Sequence, residues 1–179
     1  MRLMTLFCVL ASPAWADICP ASPDHSARVH ELFEGLAVAE SQAQADGLNA
    51  ELWALWTDAP DDKAQLLLDQ GMQLRAMFDL LNARDVLDQL VEYCPDFAEG
   101  YNQRAFVSYL RQDYAAALID IDRTLALNPN HTGALSGKAL TLIGMGQMDG
   151  AQEALRAAVA LNPWLQERAL LTEPLGQDI

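Results

Sequence analysis

Lysine is nearly absent from this chain of 179 residues: Lys63 and Lys138 stand against 25 acidic side chains, and the formal net charge is −14. Neutralising phosphates takes a basic patch, so such a surface argues against nucleic acid and equally against anionic lipid. No run beyond the first sixteen residues approaches the length of a membrane span, so no membrane insertion is expected. Histidine is scarce too. His25 and His30 are five residues apart and point in different directions on a helix, so they make no metal-ligating pair. The chain holds no Gly-x-Ser-x-Gly, no phosphate loop, no dinucleotide fingerprint and no His-Glu-x-x-His. Its many carboxylates are not placed by pattern as an acid/base pair. These absences point away from an enzyme, and no cofactor and no metal are expected.

The start of the chain reads as a targeting segment. Arg2 supplies a minimal positive charge, residues 3–10 are apolar, and Ala14-Trp15-Ala16 has the small-x-small form of a cleavage site. Removal of residues 1–16 leaves 163 residues, one domain by length, and takes the net charge to −15 because Arg2 is lost. Cys8 lacks the small residues that precede a lipoprotein cysteine. The expectation is a soluble exported protein, periplasmic in a Gram-negative source.

What the chain does have is a period. Pro95, Pro129 and Pro163 are spaced by 34 residues, and each closes an apolar helical run. Proline cannot continue a helix and disfavours helix in the residue before it, so each proline ends a hairpin. The segments 98–129 and 132–163 match in register. Tyr101 and Leu135 share the fourth position, Ala105 and Ala139 the eighth, and Ala117 and Ala151 the twentieth. Ile121 and Leu155 share the twenty-fourth, and Thr124 and Ala158 the twenty-seventh. Small residues let two helices approach, and large ones fill the gap to the next pair. A degenerate third copy, 64–95, keeps Gly71, Ala83, Leu87 and Leu90 at these positions. Gly144 and Gly146 weaken the end of the first helix in the last copy, where a turn is required.

This pattern resembles the tetratricopeptide repeat, a family of stacked helix-turn-helix units. The resemblance implies an all-α, right-handed superhelical stack of antiparallel hairpins. Residues 17–60 are expected to form an arm and a further hairpin, with helices over 28–44 and 48–56 broken at Asp46-Gly47. Residues 61–171 carry the three repeats and a short C-terminal capping helix over 164–171. Residues 172–179, with Pro174 and Gly176, are a flexible tail. The runs Tyr101-Asn102-Gln103-Arg104-Ala105 and His131-Thr132-Gly133-Ala134-Leu135-Ser136-Gly137 resemble more closely a group of small bacterial and plant members of the family. There the pattern is aromatic-Asn-x-Arg-Ala, followed one repeat later by Pro-Arg-His-Phe-Gly-Ala-Leu-Ser-Gly. Asn130 and Thr132 replace the Arg and Phe, and the likeness covers residues 60–170. The two runs bring Asn102, Arg104, His131 and Ser136 toward one edge, with Arg104 at a repeat interface.

In such a stack the first helix of each repeat lines the concave face. The second, fifth, ninth and twelfth positions then place Gln65, Leu68, Met72 and Arg75, next Glu99, Asn102, Phe106 and Tyr109, and last Gly133, Ser136, Leu140 and Ile143 in a groove. Leu68 and Met72 stand where the lysine- and asparagine-rich carboxylate clamp of chaperone-binding members begins, so that clamp is not expected. The groove implied is mostly apolar and suits a protein or peptide partner held by Met72, Arg75, Asn102, Phe106, Tyr109, Ser136 and Leu140. It is open to such a partner or partly filled by the chain's own segment around Trp164 and Leu165. Competing readings are a small-ligand or metal carrier using His131, Asn102 and Ser136, and a subunit that self-associates through the groove.

Without Cys8 two cysteines remain, Cys19 and Cys94. In an antiparallel stack the start of a first helix and the end of a second helix lie on one edge, so a structural Cys19–Cys94 bridge is compatible with the repeat architecture and with export. Two unpaired thiols, or Cys19 bonded to another chain, are the alternatives.

Overall fold

The computed structural model describes residues 18–172. The expected leader, 1–16, and residues 173–179 of the expected tail lie outside the described residues. Among the described residues eight α-helices follow one another: α1 (Ser26–Ala37), α2 (Gln42–Trp56), α3 (Asp62–Ala76), α4 (Leu80–Tyr93), α5 (Ala98–Leu110), α6 (Tyr114–Leu127), α7 (Thr132–Gly144) and α8 (Met148–Leu161). A 3₁₀ segment, Gln166–Leu170, packs on α8, and Gln152 bonds both Leu170 O and the Thr172 N–H, each at 3.0 Å. The architecture is all-helical, as the period implies, and α3–α4, α5–α6 and α7–α8 are the three repeats.

The repeat positions behave as their sizes require. Ala83, Ala117 and Ala151 are fully buried, and so are Leu87 and Leu155. Gly71 marks a close approach: a Cβ there would lie 2.6 Å from a methyl of Leu87. The turn inside each repeat is a Schellman closure. Phe78, Gln112 and Gly146, themselves 34 residues apart, take φ of 61°, 61° and 75°. The N–H of each bonds the carbonyl three residues back, at 2.8–2.9 Å, and the next N–H reaches the carbonyl five back. Glycine occupies only the last of these left-handed positions.

The N-terminal hairpin departs from expectation in two ways. Its turn falls at residues 38–41, not at Asp46-Gly47, which lies inside α2. Ser41 caps α2 by accepting the Gln44 N–H at 3.3 Å, and the Gln42–Asp46 side-chain bond at 2.8 Å carries the helix across the glycine. The hairpin also does not stack on α3 as α4 stacks on α5. It folds back so that α1 meets α8. Leu32, Leu36, Ala45 and Leu52 form its core, and Trp164 packs against that core. The Trp164 indole N–H donates to Leu36 O at 3.0 Å, and Asn162 Nδ2 donates to Asn49 Oδ1 at 2.7 Å.

A disulfide joins Cys19 to Cys94, with Cα atoms 5.2 Å apart. It ties the arm before α1 to the end of α4, beside the buried Ala59, Leu90 and Phe97. Closing 75 residues of chain stabilises by about 4 kcal/mol in the chain-entropy account.

Candidate functional site

Because α2 lies over the concave face, the groove becomes a partly covered cavity of about 360 Å³. Six of the seven residues expected to hold a partner line it: Arg75 from α3, Asn102, Phe106 and Tyr109 from α5, and Ser136 and Leu140 from α7. Met72 does not. It packs half-buried against the core around Leu68 and Leu87, and Leu68 itself is fully buried in that core. At these two positions of the degenerate first repeat the apolar side chains join the α3–α4 core. The cover was not expected. Asn49, Trp53 and Trp56 form one stripe of α2 at helical spacing and face the cavity from the opposite side. The spacing is visible in the sequence; what it would face is not. Leu165 lines it too, so the chain's own C-terminal segment contributes to the wall while the hairpin supplies the cover.

A buried polar cluster underlies the cavity. Glu99, 1 % exposed, accepts from His131 Nε2 at 2.8 Å, from Gln103 Nε2 at 2.5 Å and from Asn102 Nδ2 at 3.1 Å. His131 caps α7: its Nδ1 accepts the Ala134 N–H at 3.2 Å. That bond requires an unprotonated Nδ1, so the ring proton sits on Nε2 and points at Glu99. Trp56 stacks on the same imidazole with ring centroids 4.3 Å apart. Both nitrogens of His131 are thus engaged and the ring is buried, which removes it from the role of ligand in a metal or small-molecule carrier. Among the described residues no three His, Cys, Asp or Glu side chains gather to hold a metal ion.

Arg75 sits 4.5 Å above the Phe106 ring. Burial pulls its guanidinium below the ordinary range, and the Glu99 charge opposes that pull. Four buried side-chain atoms have no hydrogen-bond partner among the described residues: Trp56 Nε1, Arg75 Nε, Gln103 Oε1 and Ser136 Oγ. All four belong to residues that line this one cavity. Leaving a buried polar atom unpaired costs about 1–3 kcal/mol, so their concentration at one place marks a strained polar wall.

Arg104 lies elsewhere. Its fork holds the buried Asp120 with two bonds of 2.8 and 2.6 Å, and its third nitrogen reaches Asp88 at 2.8 Å. Arg84 also bonds Asp88, at 3.0 Å, which extends the ladder from α4 to α6. Paired carboxylates hold the Arg104 guanidinium above its ordinary range against the pull of burial. The expected interface role of Arg104 therefore stands. Asn102 and His131 do meet, through Glu99, and Ser136 lines the same cavity, while Arg104 is not part of that group.

No protein-family model matches the chain. It is 30% identical over 128 residues to a TPR repeat-containing protein of Rhizobium etli, a match covering 70% of this chain and 62% of that one. The chain thus spans somewhat under two thirds of that curated relative. Among solved structures, the first TPR of Spaghetti (RPAP3) bound to an HSP90 peptide superposes with a TM-score of 0.59 at 20% identity, over 60% of this chain and 86% of that chain. The TPR2B domain of yeast Sti1, in complex with an Hsp70 peptide, gives 0.58 at 22% identity, over 62% and 91%. Helix order, the 34-residue period and these likenesses agree: the chain is a tetratricopeptide-repeat protein in fold, with an added N-terminal hairpin folded over its concave face.

Proposed function

We propose that this chain is an exported, non-enzymatic interaction module that holds a protein or peptide segment against its concave face. The observation that carries the reading is the convergence of Arg75, Phe106 and Leu140, from three successive repeats, on one partly open cavity. Phe106 remains 41 % exposed there, an aromatic anchor within reach of a partner. The two solved neighbours that hold HSP90 and Hsp70 peptides support a peptide-binding use of the fold. Export to an oxidising compartment is supported by the leader pattern and by the Cys19–Cys94 bridge. Since α2 covers part of the groove, a partner inserts a short segment or a single side chain beside Trp53 and does not run the length of the stack.

The test is tagged capture from the native exported fraction after mild crosslinking, with Phe106→Glu as control. A partner held by the wild type and lost by the variant, with helicity unchanged, supports the reading. The same partners from both proteins would place binding on another face.

A further inference from the structure

We infer that the cavity beneath α2 is a site for a small organic monocarboxylate, an apolar or aromatic body ending in one carboxylate, with Arg75 as its counter-ion. The inference rests on the cavity being a binding site, but not on the ligand being a protein.

Three half-buried arginines occur among the described residues. Arg84 and Arg104 are each bonded to a carboxylate, Asp88 for the first, Asp120 and Asp88 for the second. Arg75 bonds none: the face of Phe106 lies against it, and Glu99 reaches it only through its charge. A desolvated guanidinium ordinarily takes a bidentate anion, and no carboxylate of the chain bonds this one, since Glu99 is turned to His131, Gln103 and Asn102. Two further unpartnered donors belong to the same wall, Trp56 Nε1 and the Ser136 hydroxyl. A carboxylate offers about four acceptor sites, enough for the guanidinium and for further donors of this wall. Gln103 Oε1, also unpartnered, would take a hydroxyl or N–H on the ligand body.

The walls fix the rest of the ligand. Phe106, Tyr109, Leu140 and Trp53 present aromatic and aliphatic surface. A volume of about 360 Å³ falls at the low end of small-molecule sites, about 300–1,000 Å³. Glu99 is already committed to three side-chain donors, and Glu167 stands in the cavity wall. Their charge opposes any anion, a dianion more than a monoanion, so the ligand carries only the one carboxylate that Arg75 can pair. Free acids and the C-terminal residue of a peptide share this chemistry.

The intrinsic fluorescence of Trp53 and Trp56 reports occupancy. The purified protein is titrated with phenylacetate, with its neutral isostere phenylacetamide, and with an acetylated tripeptide ending in phenylalanine, as free acid and as amide. The expected result is binding of phenylacetate at least about tenfold tighter than of phenylacetamide, the preference that one charge-assisted pairing gives. Arg75→Gln removes the preference and Arg75→Lys restores part of it. If only the tripeptide acid binds, and its amide does not, the carboxylate comes from a peptide end and the inference holds in that form. Equal binding of acid and amide, or no binding by either acid, overturns it. The wild-type acid/amide comparison decides even if the Arg75 variants fail to fold. Phe106-dependent capture of a partner alongside absent acid binding sinks this inference and leaves the interaction reading standing.

Discussion

Trp56 lies flat on His131, with ring centroids 4.3 Å apart and planes 21° from parallel, although 75 positions separate them in the chain. This stack joins the hairpin that covers the groove to the loop that starts α7. His131 is rigid because Ala134 and Glu99 hold its two nitrogens, so it gives the indole a fixed seat. The cover is thereby coupled to the buried Glu99 cluster.

Trp56→Ala should therefore loosen the hairpin from the stack. Removing a half-buried indole and its stacking should cost about 2 kcal/mol, below the range for a fully buried aromatic. Urea unfolding would give that loss. Hydrogen exchange should show faster amides in α1 and α2 and little change in α5–α8. Uniformly faster exchange would mean that the hairpin and the repeats open as one unit.

The Cys19–Cys94 bridge should also be measurable chemically. Alkylation without reductant should modify one thiol, Cys8, in the full chain and none in a chain starting at Asp17. Reduction should lower stability by about 4 kcal/mol, because a long loop regains its freedom in the unfolded state. Modification of Cys19 or Cys94 before reduction would disprove the bridge.

The repeats were legible because their physics is local. Small and large residues at fixed offsets, closed by Pro95, Pro129 and Pro163, decide how each hairpin packs whatever surrounds it. Of the twelve groove positions read from the same register, seven line the cavity, and Gln65, Leu68, Met72, Glu99 and Ile143 do not. Met72 and Leu68 turned inward because an apolar side chain in the degenerate repeat is more stable in the core. The path of α2 was not legible. It depends on Asn49 meeting Asn162 and on Leu36 meeting Trp164, contacts 113 and 128 residues apart that no local pattern encodes. The stripe of Asn49, Trp53 and Trp56 was not singled out in the sequence, because nothing local says which helices it meets.

Asp61 should give α3 an acid-sensitive start. Its carboxylate accepts the Ala64 N–H at 2.8 Å and the Tyr93 hydroxyl at 2.7 Å. These bonds, the backbone one first, hold its carboxyl below the ordinary value of 3.8. The unfolded state thus binds the proton more readily than the folded one. The stabilisation is complete above the unfolded value and is lost as pH falls through the folded value. Asp61→Ala should cost about 1 kcal/mol at neutral pH, the usual worth of such a cap. Urea midpoints taken from pH 7 down to pH 2 should converge for wild type and variant at the acid end. A constant gap across that range would show that the charge has no part in the cap.

Gln112 tests the backbone logic of the repeat. It occupies the left-handed turn position that Gly146 fills one repeat later, and its side chain is exposed, so nothing packed is lost on removing it. A non-glycine residue pays about 1–2 kcal/mol in this conformation, while glycine loses about 0.5–1 kcal/mol of extra chain entropy on folding. Gln112→Gly should therefore stabilise by about 0.5–1 kcal/mol. Gly146→Ala should destabilise by about 1 kcal/mol, for strain alone, because a Cβ there meets nothing within 4 Å. Opposite shifts in thermal midpoint for the two variants would follow if the left-handed turn governs both. Loss of stability in both would show that the Gln112 side chain contributes more to its turn than its backbone costs.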